Sequence, residues 1–371
     1  MTACVAHLPT IRNGETLSSL LLRLAHNHSA SGHELCTLLW PRFQFWTRDI
    51  DRTASDALLD DISRVTGIGR DVLERATLRG LVKATGFQEG MPGCQRGILP
   101  VGVYHRIRRR FGQQYCPVCL AEKPAYLRKL WRLEFMVACP RHGNLLRDSC
   151  PNCDAPFIPH RSHALTKAQC HRCGSSLTAI ERVVSTDSAV MLQQSVLTAL
   201  ANTLLDDKSS EVGDCVTKDF AWTFFTDIEN AAVLDGVHRL CRLAARASDA
   251  LPHASVSERT VWTLLRVPER VVVMSLVARW LSDWPDEWVR WAINADMTQH
   301  YLDHEYGPWP GWVGSAIARL PYSHGPVDIR RHRRNLSIRQ LRKEHSSLAA
   351  YRQARAALLL KKAGVLSGIR R

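Results

Sequence analysis

The sequence has no hydrophobic run long enough to span a membrane. A membrane helix needs ~20 consecutive apolar residues, and stretches such as Val271–Val273 and Ala356–Leu360 are far shorter. Residues Met1–Ile11 also lack a basic region followed by an apolar segment, the pattern of a secretory signal. We therefore expect a cytoplasmic protein, in a compartment that keeps thiols reduced.

The sequence has twelve cysteines, which in a reducing compartment indicate metal binding or simple burial and not disulfides. Global disorder is excluded by 45% hydrophobic and 23% charged residues. A chain of 371 residues is long enough for about two or three domains. Acidic residues number 35 against 49 Lys and Arg, a formal net charge of +14. This excess favours an anionic partner, most often nucleic acid.

Seven cysteines fall within residues 116–173 and form, with one histidine, four pairs that each enclose two residues. The pairs are Cys116-Pro-Val-Cys119, Cys139-Pro-Arg-His142, Cys150-Pro-Asn-Cys153 and Cys170-His-Arg-Cys173. A two-residue gap lets a tight turn aim both side chains at one ion, and two such pairs complete a tetrahedral zinc site. The nearby His160, His163 and His171 are interpreted as surface residues.

The spacing is compatible with two groupings of these pairs. In the sequential grouping, which we favour, site one is Cys116, Cys119, Cys139 and His142, and site two is Cys150, Cys153, Cys170 and Cys173. A cross-brace grouping would join the first pair to the third and the second to the fourth. Four protein ligands leave no open position for water, so both sites are predicted to be structural. The sequence thus predicts two structural Zn²⁺ ions in a tandem ribbon or knuckle module.

A helical hairpin is predicted before the four cysteine-containing pairs. Ser55–Val65 and Arg70–Thr77 carry apolar residues at helical spacing, and Thr66–Gly69 between them is a turn. Two helices around a short glycine-containing turn form the helix-turn-helix pattern, whose second helix enters the DNA major groove. The candidate DNA contacts here are Arg70, Arg75 and Arg79. An ordinary helical hairpin with solvated arginines is the alternative.

Two further segments are dense in positive charge. A short run just before the first cysteine pair, Cys116–Cys119, holds four arginines. Residues 328–371 hold 13 Lys and Arg against two acidic residues, which is +11 of the formal +14. Positive side chains this close together repel one another unless a bound anion neutralises them. The candidate nucleic-acid contacts in these segments are Arg106, Arg108, Arg109, Arg110, Arg330, Arg331, Arg333 and Arg334. We expect the tail to dominate anion binding.

Most of the remaining chain is predicted to be helical. Glu15–Ala30, Ser188–Leu205, Phe220–Ala247 and Val256–Ala295 have apolar residues at helical periodicity. The predicted fold is therefore mainly α. Its parts are an N-terminal helical domain with the helix-turn-helix (1–112), a tandem zinc-binding module (113–178), an α-helical C-terminal domain (179–327) and a basic tail (328–371).

Four motifs within residues 8–175 occur in a specific order. They are Gly14-Glu-Thr-Leu-Ser-Ser-Leu-Leu-Leu-Arg-Leu-Ala25, Gln114-Tyr-Cys-Pro-Val-Cys-Leu120, Leu130-Trp-Arg-Leu133 and Ala138-Cys-Pro-Arg-His-Gly143. In this order and with these pairs, the chain resembles the TniQ/TnsD family of bacterial transposon target-selection proteins. The helical second half resembles the longer members only loosely.

The resemblance implies a non-enzymatic adaptor that chooses where a transposon inserts. Such proteins bind target DNA or dock on a recognition module, including the RNA-guided Cascade complex of CRISPR-associated transposons. They then recruit an AAA+ ATPase regulator of the transposase (TnsC/TniB-like). The resemblance also assigns the eight ligands of the two zinc sites. The helix-rich second half is compatible with a homodimer.

Other functions are weighed against the adaptor. A zinc-containing RNA- or ribonucleoprotein-binding protein, or a sequence-specific DNA-binding regulator without a role in transposition, would share the basic tail. A nuclease or recombinase would need clustered carboxylates or an activated nucleophile. Acidic residues such as Asp60, Asp61, Asp283 and Asp286 occupy helical surface positions instead. We therefore expect no enzymatic activity.

Overall fold

The computed structural model describes residues 5–86, 95–101, 103–104, 107–108, 111–161, 163–179, 188–203, 225, 227–247 and 262–322. Within these ranges the fold is mainly helical, as predicted. The helices are α1 (Leu17–Asn27), α2 (Gly32–Leu39), α3 (Ile50–Thr53), α4 (Asp56–Thr66), α5 (Arg70–Arg75), α6 (Arg79–Thr85), α7 (Pro117–Ala121), α8 (Ser188–Thr203), α9 (Asn230–Ala247), α10 (Val267–Ser282), α11 (Asp286–Asn294), α12 (Gln299–Tyr306) and α13 (Gly311–Ile317). Two short strands, β1 (Val103–Tyr104) and β2 (Ile107–Arg108), pair antiparallel. None of the described helices is long and apolar enough to cross a membrane.

The chain folds into two compact units. The N-terminal unit comprises Met1–Leu234 and Thr263–Arg270, and the C-terminal unit comprises Asp235–Trp262 and Val271–Arg371. Two of the three divisions therefore fall inside α9 and α10, and the third lies between Trp262 and Thr263. The predicted four-part division at residues 112, 178 and 327 stays a prediction.

Helices α1 to α6 form the helical core of the N-terminal unit. The hydroxyl of Thr16 accepts a hydrogen bond from the Ser19 amide at 3.2 Å and so caps α1. Helix α4 begins after Ser55, whose hydroxyl accepts from the Leu58 amide at 3.2 Å, and it ends at Gly67 with a φ of 73°. The leucines of α1 and α4 that had helical spacing are buried, and each contributes about 1.5–3 kcal/mol.

The first turn of α1 is held by a later segment of the same unit. The Thr16 amide donates to the Leu127 carbonyl at 3.0 Å, and the Leu127 amide donates to Ser19 Oγ at 3.0 Å. The Lys129 amide donates to the Gly14 carbonyl at 2.7 Å. The start of α1 is thereby joined to the chain between the first two cysteine pairs.

Two still later segments pack on the cysteine-rich region. Gln193 of α8 accepts from the amides of Val137 and Ala138 at 2.8 and 2.9 Å, and it donates to the Ala138 carbonyl at 3.0 Å. Arg270, at the start of α10, is fully buried and donates to the Glu134 carbonyl at 2.8 Å. Residues more than a hundred positions apart therefore complete one core.

The C-terminal unit is built around tryptophans. The rings of Trp280 and Trp291 lie 4.3 Å apart between centroids, and those of Trp284 and Trp312 lie 5.0 Å apart. Gly236 leaves room for the Trp312 ring, because a Cβ at this position would collide with it. Trp280, Trp291 and Trp312 lie in α10, α11 and α13, and Trp284 lies between α10 and α11. These ring contacts therefore connect the three helices.

Candidate metal centres

The four side chains predicted for site one meet in the N-terminal unit. Their ligand atoms all lie within 4.8 Å of one another. His142 Nδ1 lies 3.5, 3.3 and 3.5 Å from the Sγ atoms of Cys116, Cys119 and Cys139, and the Sγ atoms of Cys119 and Cys139 are 3.8 Å apart. All three cysteines are buried, so this cluster is enclosed by the fold.

The four cysteines predicted for site two also meet, nearer to solvent. Their Sγ atoms lie within 4.8 Å of one another. Cys150 and Cys173 are 3.7 Å apart, and Cys153 and Cys170 are 3.8 Å apart, between Sγ atoms. Cys173 is exposed, whereas Cys150 and Cys170 are buried.

These separations match the edges of a zinc tetrahedron. With Zn–S near ~2.3 Å and Zn–N near ~2.0 Å, two sulfur ligands lie about 3.8 Å apart, and a sulfur and a nitrogen about 3.5 Å. The observed values are 3.7–3.8 Å for sulfur pairs and 3.3–3.5 Å for sulfur and nitrogen. The two clusters therefore fit two structural zinc sites, with Cys₃His and Cys₄ donor sets. The grouping is sequential, and the cross-brace alternative is wrong.

Three of the four pairs lie on the same backbone turn. In 139–144, 150–155 and 170–175, the amide of the first cysteine donates to the carbonyl five residues later at 2.8, 2.8 and 2.9 Å. The fourth residue after that cysteine adopts a left-handed conformation. These residues are Gly143, Asp154 and Gly174, with φ of 66°, 56° and 71°. Glycine adopts this conformation without steric cost, and Asp is among the side chains that tolerate it best.

The first pair is built differently. Cys116 immediately precedes α7, Pro117 takes the first helical position, and Cys119 lies one turn inside the helix. Proline suits this position because its ring sets a helical φ and its missing N–H has no intrahelical partner there. The positive end of the helix dipole also favours a thiolate. Site one thus combines a helix start with a knuckle, whereas site two combines two knuckles.

Glu122, directly after α7, orients the histidine of site one. Its Oε1 lies 3.1 Å from His142 Nε2, and its Oε2 accepts from Arg141 at 2.8 Å. Partial burial acts to raise the pKa of Glu122, but the contacts with Arg141 and His142 lower it overall. A carboxylate on Nε2–H leaves Nδ1 free to face the three sulfurs. Sequence analysis missed this residue, because no spacing rule marks a carboxylate that meets its histidine only in the folded chain.

Replacing Glu122 with alanine is expected to weaken zinc binding at site one by about 10- to 100-fold, because removal of such a partner loosens the histidine ligand. Zinc release to a chromogenic chelator would measure this in two kinetic phases, one for each site. The phase of site two is the internal control. Glu122→Gln keeps an acceptor for Nε2–H and should retain most of the affinity, and Arg141→Ala should change little. If zinc leaves site one of Glu122→Ala at the same rate as in the wild-type protein, the orienting role is ruled out.

The arginines predicted as DNA contacts in the hairpin are held by carboxylates of the same hairpin. The ion pairs are Arg70 with Asp56, Asp60 and Glu74 at 2.7, 2.9 and 3.0 Å, Arg75 with Asp71 at 2.8 Å, and Arg79 with Asp56 at 2.7 Å. The hydrogen bond from Arg79 is the main reason that the pKa of Asp56 lies below its ordinary value. A DNA phosphate would therefore compete with a carboxylate for each guanidinium group.

The other predicted nucleic-acid contacts fall where side chains are not described. Arg108 lies in β2. Its side chain lies outside the described residues, as do Arg106, Arg109, Arg110, Arg330, Arg331, Arg333 and Arg334.

Comparison with known families agrees with the motifs and the first metal site. The family model described as TniQ matches residues 7–146. The chain carries a TniQ-family domain. The match includes every ligand of site one and ends before the first ligand of site two. No curated protein matches the chain.

The TniQ motifs also form a buried polar network. Asp51 accepts from the amide and the hydroxyl of Ser18, both at 2.7 Å. Arg132, from the Leu-Trp-Arg motif, is fully buried and donates to Asp49 at 2.6 Å and to the Leu99 carbonyl at 2.8 Å. Its Nη1 lies 3.5 Å from Asp51. These motif residues therefore join the N-terminal helices to the segment between the zinc-ligand pairs.

Proposed function

We propose that this protein is a non-enzymatic target-site-selection adaptor in DNA transposition. The observation that carries the proposal is the TniQ match over residues 7–146. The adaptor links a target recognition module to an AAA+ ATPase that regulates the transposase. It works in the cytoplasm and contributes binding surfaces to the reaction.

The donor sets support a binding role for the metal centres. Each cluster offers four ligand atoms, which complete the tetrahedron of a structural zinc and leave no position for a reacting water. When bound, zinc would supply folding free energy to the N-terminal unit. The protein's own side chains would shape the surfaces that meet DNA and partner proteins.

Electrostatics supports the basic tail as the main DNA contact. Residues 328–371 carry +11 of the formal +14. The hairpin arginines already lie within 3.0 Å of carboxylates, which lowers their gain from a phosphate. Contacts of this kind release counterions and do not read base sequence. Target choice would then depend on a recognition module, either a DNA site or a Cascade complex.

A reconstituted transposition reaction tests the function. The reaction would combine a transposase, a TnsC/TniB-like ATPase and a donor element of the proposed kind, with this protein added or omitted. We expect insertions to concentrate at defined target positions only when it is present, and the ATPase to co-elute with it in gel filtration. Unchanged insertion sites without the protein would overturn the adaptor role. Cleavage of target DNA by the protein alone with Mg²⁺ would overturn its non-enzymatic character.

Removal of the basic tail after Val327 is expected to reduce salt-sensitive DNA binding. Each phosphate contact contributes about 0.9 to the slope of log K against log salt, so the loss of several contacts should flatten the slope by several units. Fluorescence anisotropy with a labelled duplex between 50 and 300 mM salt, roughly the range in which such slopes are measured, gives the slope. Arg75→Ala in the full chain is the control and should leave it nearly unchanged. An unchanged slope after truncation would return the contacts to the hairpin and the zinc module.

A further inference from the structure

Site two is bonded to a segment that lies far from it in sequence. Thr263–Arg270 belongs to the N-terminal unit, and α10 begins inside this segment at Val267. The guanidinium group of Arg266 donates to both carboxylate oxygens of Asp154, at 2.6 and 2.9 Å. The Val267 amide donates to Asp148 Oδ2 at 2.8 Å. The start of α10 is therefore bonded to the residues on either side of the first knuckle of site two.

The three knuckles differ at the position that needs a left-handed backbone. Glycine occupies this position at Gly143 and Gly174, where an added Cβ would meet nothing within 4 Å. Asp154 occupies it in the first knuckle of site two, with a φ of 56°. Aspartate adopts this conformation at a steric cost that glycine avoids. What aspartate adds is a carboxylate, and that carboxylate binds Arg266.

Arg266 contacts three separate parts of the N-terminal unit. Besides Asp154, it donates to Ser149 Oγ at 2.5 Å, and its guanidinium carbon lies 4.4 Å from the centroid of the Phe111 ring. Ser149 Oγ in turn donates to Asp154 at 3.1 Å. A planar guanidinium that is stacked on a ring and paired with two oxygens requires one arrangement of its partners. The contact therefore depends on the shape of the knuckle as well as on charge.

The knuckle takes this shape around its metal ligands. Cys150 and Cys153 are the two ligands of the turn, and the Asp154 amide donates to the Cys150 carbonyl at 3.0 Å. A zinc site is rarely preformed without its ion, so metal binding and local folding share one free energy. Loss of the ion would therefore relax the turn that presents Asp154 to Arg266.

We propose that Arg266 and Asp154 couple the zinc of site two to the start of α10. The loaded knuckle holds the first turn of the helix, and the helix in return raises the zinc affinity of the site, because coupling of this kind is reciprocal. Helix α10 continues to Ser282, and its residues from Val271 onward belong to the C-terminal unit. Arg266 is thus a positioning residue that acts on the metal site through Asp154. This coupling does not depend on the adaptor role.

Zinc affinity of the full-length protein tests one direction of the coupling. Competition with a chromogenic chelator measures both sites, and the site that is lost in Cys173→Ser is site two. Arg266→Met should weaken zinc binding at site two by about fivefold or more, the lower end of typical coupling factors, and leave site one unchanged. Arg290→Met is the matched control. Arg290 also pairs with two carboxylates but lies in α11, so both sites should keep their wild-type affinity.

Asp154→Gly separates the coupling from the conformation of the turn. Glycine suits the left-handed backbone better than aspartate, so a role in the turn alone predicts equal or tighter zinc binding. The coupling predicts a loss as large as in Arg266→Met. The double variant should bind no more weakly than either single variant, because all three lack the same contact. Wild-type affinity in Asp154→Gly, or additive losses in the double variant, would overturn the proposal.

Hydrogen exchange tests the reverse direction. The reporters are the Val267 amide and the Arg270 amide, which donates to the Arg266 carbonyl at 2.9 Å. In Cys173→Ser, with site two empty and site one loaded, both amides should exchange about fivefold faster or more than in wild type. Amides of α1 in the same unit should exchange at the wild-type rate. Wild-type protection at the start of α10, or equal loss of protection in α1, would contradict the coupling.

Discussion

Replacement of Cys139 with serine is expected to empty site one and to unfold much of the N-terminal unit. Cys139 is 1% exposed, and its knuckle is flanked by residues that Gln193 of α8 contacts. Structural zinc contributes on the order of 10–16 kcal/mol, which is as large as the roughly 5–15 kcal/mol that stabilises a whole domain. The unit therefore cannot lose this ion and keep its core.

Metal analysis and thermal unfolding measure the effect. Cys139→Ser should lose at least one of two zinc equivalents and melt more than 10 °C below wild type, since about 1 kcal/mol corresponds to a few degrees in a domain of this size. Cys173→Ser is the matched comparison, because the same substitution falls at an exposed ligand of site two. It should lose one equivalent with a smaller fall in melting temperature. Two retained zinc equivalents in Cys139→Ser would contradict the assignment of this ligand.

Replacement of Arg132 with methionine is expected to destabilise the protein by about 3–5 kcal/mol, because it leaves buried carboxylates without their cation. Arg132 is fully buried and contacts Asp49 at 2.6 Å. Urea unfolding at pH 7 measures the loss. Arg70→Met is the control. Arg70 has three carboxylate partners, but two of them, Asp56 and Asp60, are largely exposed, so its loss should cost about 1 kcal/mol or less.

The same variant should show a distinctive dependence on pH. Burial raises the pKa of Asp51 to about 6, although Arg132 acts to lower it. Because this folded-state pKa lies above the unfolded value, the native state binds more protons, and stability falls as pH rises through the window between the two values. Loss of Arg132 extends that window upward. The loss of unfolding free energy in Arg132→Met, relative to wild type, should therefore be smaller at pH 5 than at pH 8. An equal loss at both pH values would exclude Asp51 as its cause.

The parts that were predictable are those encoded in short stretches of chain. Thr16 and Ser55 cap their helices, because a hydroxyl at the N-cap bonds amides only two or three residues away. The turn at Gly67 depends on one backbone conformation. The cysteine pairs depend on a gap of two residues. In each case the interacting groups are close in sequence, so spacing alone is informative.

The parts that were missed depend on residues far apart in sequence. Arg132 meets Asp49 across 83 positions, and Arg270 meets Gln114 across 156. From sequence, Arg266 and Arg270 were simply residues of a long predicted helix. In the fold, Arg266 binds Asp154 of the site two knuckle at 2.6 Å. No periodicity or motif contains such contacts, because they arise only when separate segments pack.

The amino-acid sequence alone was sufficient for the mainly helical class, the eight metal ligands, the charge of the tail and the TniQ resemblance. The helical class and the tail charge follow from periodicity and composition, the ligands from spacing within each pair, and the resemblance from the order of short motifs within residues 8–175. The tertiary structure decided which pairs share an ion and that Glu122 supports His142. Burial and the distances between remote segments are set by packing of the whole chain. A local sequence pattern does not determine how remote segments pack.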